Sequence, residues 1–414
     1  MRRWHVSGLV KGFAWSAFVW RLGIVGGNFG IMVGLVWWLG LAEFGNLMVL
    51  WGMALVAGTV MSVGAPVLIL RVMTDGTGLR ASGLIRLMCL YPVALAALAG
   101  GVLHMILPGP AWGAILLTGL AFNALQCLAS VLRALGSVQM SMALRDGVPQ
   151  LALGAAACLT GKAVGILIVA ACAMGGVGLL VLLVCLLHPG LRTRLRASGD
   201  RGAVRGGLWA NAVLGMATAQ IDIVLAGGVL SADQIGIYAL VRRIANLVAL
   251  PVSVATWVSA PPIAAAFGAG DHVALRRASA VGSRIALLPG GAFFAVALLA
   301  MPLWPGLADA RPLAVILLSG ALVQVGLASG FTVATLCGLE KSAVLARLAS
   351  LGVYLAIAFG AGGAATTTGN ALAYLAGIIA GGALLWWLLW LRLQIDTSAF
   401  AVCAGPRGQR WKMP

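Results

Sequence analysis

With 414 residues, of which 62% are hydrophobic and only 9% are charged, this chain cannot be a soluble globular protein, because no soluble fold of this size hides that much apolar surface from water. The composition predicts a polytopic membrane protein for which the bilayer is the main solvent. The 27 Lys and Arg residues outnumber the 10 Asp and Glu residues, and the net charge of +17 raises the question of a nucleic-acid partner.

Apolar runs separated by charged or Pro/Gly-rich breaks predict an all-α protein with about twelve membrane-spanning helices. Most of these runs approach or exceed the about 20 residues that a bilayer crossing needs. In chain order, the predicted ranges are 17–40, 45–70, 86–107, 111–133, 147–161, 163–187, 207–230, 235–260, 284–305, 312–337, 344–363 and 369–392.

The positive charges are distributed unevenly over the predicted loops. With the N-terminus placed in the cytoplasm, most Lys and Arg residues fall on the cytoplasmic side, and only Lys162 and Arg311 fall in loops on the other side. This is the positive-inside pattern. It predicts an even number of spans with both termini in the cytoplasm, and it explains the net charge without a nucleic-acid partner.

Two short patterns recur in the two halves of the chain. Arg80-Ala81-Ser82 and Arg277-Ala278-Ser279 each precede a proline by twelve positions, at an offset of 197 residues. Ala42-Glu43-Phe44-Gly45 opens the second helix much as Asp233-Gln234-Ile235-Gly236 opens the eighth, at an offset of 191 residues. Each half then holds six helices in the same orientation, which predicts two parallel repeats related by an axis along the membrane normal.

The repeats predict a domain organisation of two six-helix bundles. The predicted segments are an N-terminal bundle (1–190), a basic cytoplasmic connector (191–206), a C-terminal bundle (207–393) and a cytoplasmic tail (394–414).

Two local patterns predict further structure. Gly26, Gly30 and Gly34 recur every four positions in the first helix, and such a stripe of small residues favours close packing of another helix. In residues 267–283, Asp271 is a candidate N-cap, and it is followed by apolar Val273, Leu275 and Ala278 and by basic Arg276 and Arg277. This pattern predicts an amphipathic helix on the cytoplasmic surface.

Three ionisable residues interrupt the seventh and eighth predicted helices: Asp222, Arg242 and Arg243. A charge at the centre of a spanning helix costs about 2.5–3.5 kcal/mol, so these groups should face the bundle interior, a water-filled cavity or one another. Adjacent arginines point about 100° apart, so at most one lines a cavity squarely. Asp222 lies at a similar depth. Two interpretations are therefore possible: an ion pair between Asp222 and one of the arginines, or arginines that bind an anionic substrate.

Several motifs carry a family resemblance: Leu39–Gly45 (LGLAEFG), Gln220-Ile221-Asp222, Ser231–Ile244 (SADQIGIYALVRRI) and Pro261–Asp271. With them, the sequence resembles the Wzx-type flippases, the polysaccharide-transport branch of the multidrug/oligosaccharidyl-lipid/polysaccharide (MOP) exporter superfamily. The spacing of the spans follows that family over nearly the whole length.

The resemblance implies a MATE-like fold in which two six-helix bundles surround a central cavity. It implies a flippase of the bacterial inner membrane that moves an undecaprenyl-pyrophosphate-linked oligosaccharide repeat unit to the periplasmic leaflet by alternating access, for O-antigen, capsule or exopolysaccharide assembly. The implied partners are that lipid-linked oligosaccharide, membrane lipids, and a polysaccharide polymerase with its chain-length regulator. No cofactor is implied, and transport would be coupled to H⁺ or Na⁺.

In such a flippase, arginines in a wet cavity offset the lost hydration of the pyrophosphate. The candidate cations are Arg242, Arg243 and Arg21, although Arg21 lies at the membrane interface if the first helix begins near Leu22. Asp222 is the candidate for coupling or for an ion pair. The candidates for sugar contacts, which also suit hydrogen bonds between helices, are Asn28, Gln220 and Asn246.

Two alternatives to a flippase are compatible with the sequence. A cation-coupled drug exporter of the same superfamily has the same number of helices. An integral membrane enzyme of polysaccharide assembly would need a catalytic cluster, whereas the predicted outer loops are short and carry no DxD, HxxE or GxSxG motif. The histidines lie far apart and the cysteines form no CxxC motif, so neither a catalytic nor a metal site is predicted.

Overall fold

The computed structural model describes residues 9–74, 83, 85–106, 111–187, 206–300, 310–360 and 362–401. These residues form fourteen α-helices: α1 (Leu9–Met61), α2 (Ala65–Thr74), α3 (Tyr91–Ile106), α4 (Ala111–Ala134), α5 (Val138–Met142), α6 (Val148–Leu159), α7 (Ala163–Leu187), α8 (Gly206–Ala226), α9 (Ala232–Gly268), α10 (His272–Ala300), α11 (Arg311–Gly326), α12 (Gly330–Leu336), α13 (Glu340–Leu355) and α14 (Thr367–Leu393). Wider π-helical turns occupy Arg86–Leu90, Ala143–Gly147 and Ala356–Gly360, and a 3₁₀ turn occupies Gly363–Ala365.

The helices are long and apolar enough for a multi-pass membrane protein. Among the described residues, nine could cross a membrane, and α11 with α12, bent by 42° at their junction, would form a tenth. The helical run from Val138 to Leu159 includes most of the predicted fifth span (147–161), begins nine residues earlier than predicted and ends two residues earlier. The expected all-helical membrane fold is thereby confirmed.

The first predicted pair of spans is one long helix with a break. At 1.5 Å per residue, the 53 residues of α1 are about 80 Å long, more than twice the apolar thickness of a bilayer. Gly40 interrupts the helix with a φ of 77° and a ψ of 164°, a conformation that glycine adopts because it lacks a Cβ. The chain therefore turns between the two spans at Gly40. A second turn, at Ser62–Gly64, separates α1 from α2.

Part of the predicted surface helix is confirmed and part is wrong. Asp271 does cap α10, since its Oδ1 accepts a hydrogen bond of 2.9 Å from the amide of Ala274. However, α10 continues unbroken to Ala300, so no separate amphipathic helix ends at residue 283. The reason is that buried Leu275, Ser279 and Ser283 extend the same packed face into the spanning part.

The predicted role of the glycine stripe is also wrong for the described residues. A Cβ built on Gly26, Gly30 or Gly34 meets no described atom within 4 Å. Close helix packing occurs instead in the second half of α1, where a Cβ on Gly58 would lie 2.6 Å from the carbonyl oxygen of Gly119 in α4.

The chain separates into two compact units. The first unit comprises residues 1–227 with Ser231–Gly236, and the second comprises Gly228–Leu230 with residues 237–414. Helix α8 belongs to the first unit because it packs against α1, with a Cβ on Gly52 placed 3.2 Å from Val224. The predicted connector at 191–206 lies almost wholly outside the described residues, so the predicted domain boundaries stay predictions.

In the second unit, an apolar core joins α9, α10, α12, α13 and α14, and it includes Ile263, Leu275, Val333, Leu389 and Ile395. The chain after α14 folds back onto this core. We call residues 395–401 the C-terminal strap. The first residues of the predicted tail are therefore a packed part of the second unit.

Candidate functional site

The first unit contains a cluster of two arginines around one carboxylate. Arg21 on α1 forms an ion pair with Asp146, whose Oδ2 accepts from Arg21 Nη1. The same carboxylate accepts from Arg145, with 3.0 Å to Nε and 3.1 Å to Nη2. The side chains of Arg21, Asp146 and Arg145 are 15%, 24% and 34% exposed. We call these three residues the Arg21 cluster; its net charge is +1.

The position of Asp146 follows from the local sequence. Pro149 has no amide hydrogen to donate to the carbonyl four residues earlier, and the chain before it adopts the π-helical turn Ala143–Gly147. Such single π-turns are frequent at functional sites. Asn28 Nδ2 donates to the carbonyl oxygen of Asp146 at 2.9 Å, so one helix holds both the backbone and the side chain of this residue.

The face of α1 that carries Arg21 also makes the apolar contacts. Ile24 lies 3.9 Å from a Cβ built on Gly147, and Ile31 lies 3.1 Å from one built on Gly154. Residues 21, 24, 28 and 31 share one face of a helix with 3.6 residues per turn. Because α1 is already helical at Leu9, Arg21 lies within the helix, and the alternative with a helix start near Leu22 is wrong.

In the second unit, Arg242 is the centre of a buried polar cluster. Arg242 lies on α9 and is 6% exposed as a whole residue, and its Nη1 donates to Asn246 Oδ1 at 2.7 Å. A second hydrogen bond joins Arg242 Nη2 to the hydroxyl of Tyr374. The guanidinium carbon also lies 4.1 Å from the centre of the Tyr374 ring, within the range of a cation–π interaction.

The cluster extends over three further helices. Gln324 on α11 donates to the hydroxyl of Tyr374 at 3.3 Å. One turn before Tyr374, Asn370 Oδ1 accepts from the hydroxyl of Tyr354 at 2.8 Å. We call Arg242, Asn246, Gln324, Tyr374, Asn370 and Tyr354 the Arg242 cluster.

The remaining predicted residues occupy different environments. Asp222 on α8 is completely buried in the first unit, and Arg243 on α9 is half-buried in the second. The expected ion pair between Asp222 and an arginine stays a prediction. Gln220 is half-buried beside Gly52, whose built Cβ lies 3.5 Å from its Oε1. Asn246 is exposed at the edge of the Arg242 cluster.

Sequence reasoning missed Asp146, Tyr354 and Tyr374. Asp146 directly precedes the fifth predicted span (147–161), because the apolar run begins only at Gly147. A usable signal was present, since Asp146 is one of only ten acids in the chain and lies three residues before a proline. The two tyrosines are half of the four in the chain, but nothing local connects them with Arg242.

No described group of three or more His, Cys, Asp or Glu side chains is arranged to hold a metal ion. The chemistry of both clusters is instead that of anion recognition or of charge stabilisation between helices, because guanidinium groups present planar forks of donors.

Comparison with solved structures decides the fold. A MATE multidrug transporter, DinF-BH, superposes with a TM-score of 0.65 at 18% identity, over 94% of this chain and 96% of that one. This chain has the fold of the MATE transporters. An inward-facing MATE transporter of the MOP superfamily matches with a TM-score of 0.64 at 14% identity, over 91% of this chain and 98% of that one.

A Vibrio cholerae MATE transporter, VcmN in its bent form, matches with a TM-score of 0.55 at 17% identity, over 91% of this chain and 94% of that one. No known family profile matches the sequence, and a search of curated proteins finds no match. The MATE fold therefore extends over both units, while identities of 14–18% carry no information about the ligand.

Proposed function

We propose that this protein is an inner-membrane flippase. It moves an undecaprenyl-pyrophosphate-linked oligosaccharide repeat unit from the cytoplasmic to the periplasmic leaflet, for O-antigen, capsule or exopolysaccharide assembly, by alternating access. The MATE fold supports a transporter of the MOP superfamily, and the sequence motifs support this branch. A polysaccharide polymerase and its chain-length regulator are the proposed partners.

The observation that carries the proposal is the excess of arginine in the polar clusters. Each unit holds one cluster, and Arg21, Arg145 and Arg242 stand against the single carboxylate of Asp146. A pyrophosphate brings negative charge into a region that excludes it, and arginine forks replace the lost hydration. A cavity for cationic drugs would favour the opposite balance.

Arg242 is suited to binding a pyrophosphate because neighbouring side chains hold its guanidinium group in place. The ring of Tyr374 lies against the guanidinium group, and Asn246 accepts a hydrogen bond from Arg242 Nη1. A donor held in a fixed plane loses less conformational entropy when it binds an anion. In this proposal, Arg242 and Arg243 serve the pyrophosphate, and Asn28, Gln220 and Asn246 contact sugars. Transport is coupled to H⁺ or Na⁺ through Asp222.

A cation-coupled drug or small-molecule exporter is the second candidate. The completely buried carboxylate of Asp222 favours it, because a carboxylate within a spanning helix is a site where a proton or Na⁺ is bound and released. The two candidates differ in the charge of the cargo, which an experiment can decide.

The test uses the full chain in vesicles that contain a fluorescent undecaprenyl-pyrophosphate-linked oligosaccharide. Translocation is measured as the fraction of sugar that a membrane-impermeant glycosidase cannot reach. We expect Arg242→Gln to slow translocation about tenfold or more, since hydrogen bonds to charged groups contribute about 1.5–3 kcal/mol. Arg311→Gln, which removes an exposed arginine, is the matched control and should transport normally.

The outcome separates the two candidates. Wild-type vesicles that fail to move the lipid but accumulate a cationic fluorescent dye along a proton or Na⁺ gradient would replace the flippase with the drug exporter. Normal lipid translocation by both Arg242→Ala and Arg243→Ala would remove these arginines from the mechanism. Asp222→Asn tests the coupling role, and transport that follows the ion gradient as in the wild type would contradict it.

A further inference from the structure

We propose that Asp146 is a built-in competitor for the phosphate groups of the ligand at Arg21 and Arg145. While the site is empty, the Asp146 carboxylate forms hydrogen bonds with both guanidinium groups. When substrate binds, its pyrophosphate displaces this carboxylate from the arginines. The inference rests on the proposed function for the identity of the ligand.

The contacts of Asp146 are those that a phosphate would make. Its Oδ2 accepts from both Arg21 and Arg145, and its Oδ1 accepts from Arg145 Nε at 3.0 Å. Arginine binds carboxylates and phosphates through the same fork of parallel donors. A phosphate oxygen pair therefore fits where the carboxylate lies.

The Arg21 cluster is more exposed than Arg242. The side chains of the Arg21 cluster are 15–34% exposed, whereas Arg242, taken as a whole residue, is 6% exposed. Arg21 also has a donor that is not used in this structure, because its Nε is buried and has no hydrogen-bond partner among the described residues. An incoming anion with more than two oxygens can satisfy this donor in addition to those that Asp146 already uses.

The backbone of Asp146 is fixed independently of its carboxylate. Asn28 holds the carbonyl oxygen at 2.9 Å, and Ile24 packs against the adjacent Gly147. The carboxylate can therefore rotate away from Arg21 while the two helices stay together. This arrangement avoids leaving two partly buried cations unpaired in the empty state, which would be costly.

A competitor of this kind lowers the affinity of the site for pyrophosphate and speeds the release of the bound ligand. Removing its charge should therefore tighten ligand binding and slow turnover, which is the opposite of what loss of a ligand contact does. We expect Asp146→Asn to bind inorganic pyrophosphate about fivefold more tightly than the wild type, the factor that corresponds to a partly exposed ion pair of about 1 kcal/mol.

The experiment measures pyrophosphate binding by isothermal titration on the full chain in detergent micelles, with inorganic sulfate as a second probe. Asp146→Glu keeps the internal anion and should bind as the wild type does. Arg145→Gln keeps the pair between Arg21 and Asp146 and should bind at least about fivefold more weakly. Thermal unfolding of each variant reports whether the fold is intact.

Unchanged or weaker binding by a folded Asp146→Asn protein would overturn the proposal. If that variant does not fold, Arg145→Gln decides, and wild-type affinity in it would overturn the proposal equally. Tighter binding of pyrophosphate by Asp146→Asn, together with a wild-type protein that fails to translocate the lipid-linked oligosaccharide, would keep the anion exchange and discard only the proposed cargo. Tightening of sulfate but not pyrophosphate would show an adventitious ion only and would count against it.

Discussion

Gly45 and Gly236 pack so closely in the first unit that neither position has room for a side chain. A Cβ on Gly45 would overlap the carbonyl oxygen of Ala232 and lie 2.9 Å from the amide nitrogen of Gly236, and a Cβ on Gly236 would overlap the carbonyl oxygen of Leu41. These glycines close the two similar motifs AEFG and DQIG. The echo in the sequence is therefore a direct contact in the structure.

We expect Gly45→Ala to destabilise the protein by about 1–3 kcal/mol, because the atoms that its Cβ would strike are backbone atoms that cannot rotate away. The measurement is the midpoint of thermal unfolding of the full chain in detergent. Gly26→Ala is the matched control: its Cβ meets no described atom within 4 Å, and alanine is the better helix former. An equal shift for both variants would contradict this prediction.

Tyr374 supports Arg242 in two ways that substitution can separate. Tyr374→Phe removes the hydroxyl that accepts from Arg242 and Gln324 but keeps the ring against the guanidinium group. Tyr374→Leu removes both. We expect a graded loss of thermal stability, with the larger loss in Tyr374→Leu, since cation–π contacts contribute up to about 2 kcal/mol when desolvated. Tyr91→Phe, at an exposed position, should unfold as the wild type does, and a Tyr374→Leu protein as stable as Tyr374→Phe would exclude a role for the ring.

Glu43, the acid in the AEFG motif, has a structural role at the start of α7. Its Oε1 accepts a hydrogen bond of 2.6 Å from the amide of Ala163, and a carboxylate near a helix N-terminus also interacts favourably with the helix dipole. We expect Glu43→Ala to lower the free energy of unfolding by about 1 kcal/mol, and Glu43→Gln by less because an acceptor remains. The pair is compared by thermal unfolding; identical values for the two variants would show that the hydrogen bond contributes nothing.

The C-terminal strap forms hydrogen bonds with residues at the break between α11 and α12. The amide of Ala399 donates to the carbonyl oxygen of Gly326 at 2.9 Å, a group that the end of α11 would otherwise leave unpaired. Ser283 and Ser329 donate to the carbonyl oxygen of Thr397 at 2.8 and 3.0 Å. We expect a chain that ends at Gln394 to unfold at a lower temperature than one that ends at Ala401, because it exposes these groups. Equal unfolding temperatures for the two truncated chains would contradict the role of the strap.

Much of the fold is predictable because it depends on local properties. Whether a segment can span a bilayer depends on its own length and apolar content. The N-cap of Asp271 is likewise local, since its partner Ala274 is three residues away. Local patterns were less accurate in predicting which surfaces of distant helices contact each other. The glycine stripe predicted a packing face for the first half of α1, but that half packs through the face of Arg21 and Ile31.

The amino-acid sequence by itself determined a helical, multi-pass membrane protein with a break between the first two spans at Gly40, because hydropathy and backbone freedom are properties of each segment alone. Only the tertiary structure decided which carboxylate meets Arg21 and which ring meets Arg242. Those partners lie 125 and 132 residues away in the chain. A buried charge requires some partner, but which one it meets depends on how distant helices pack.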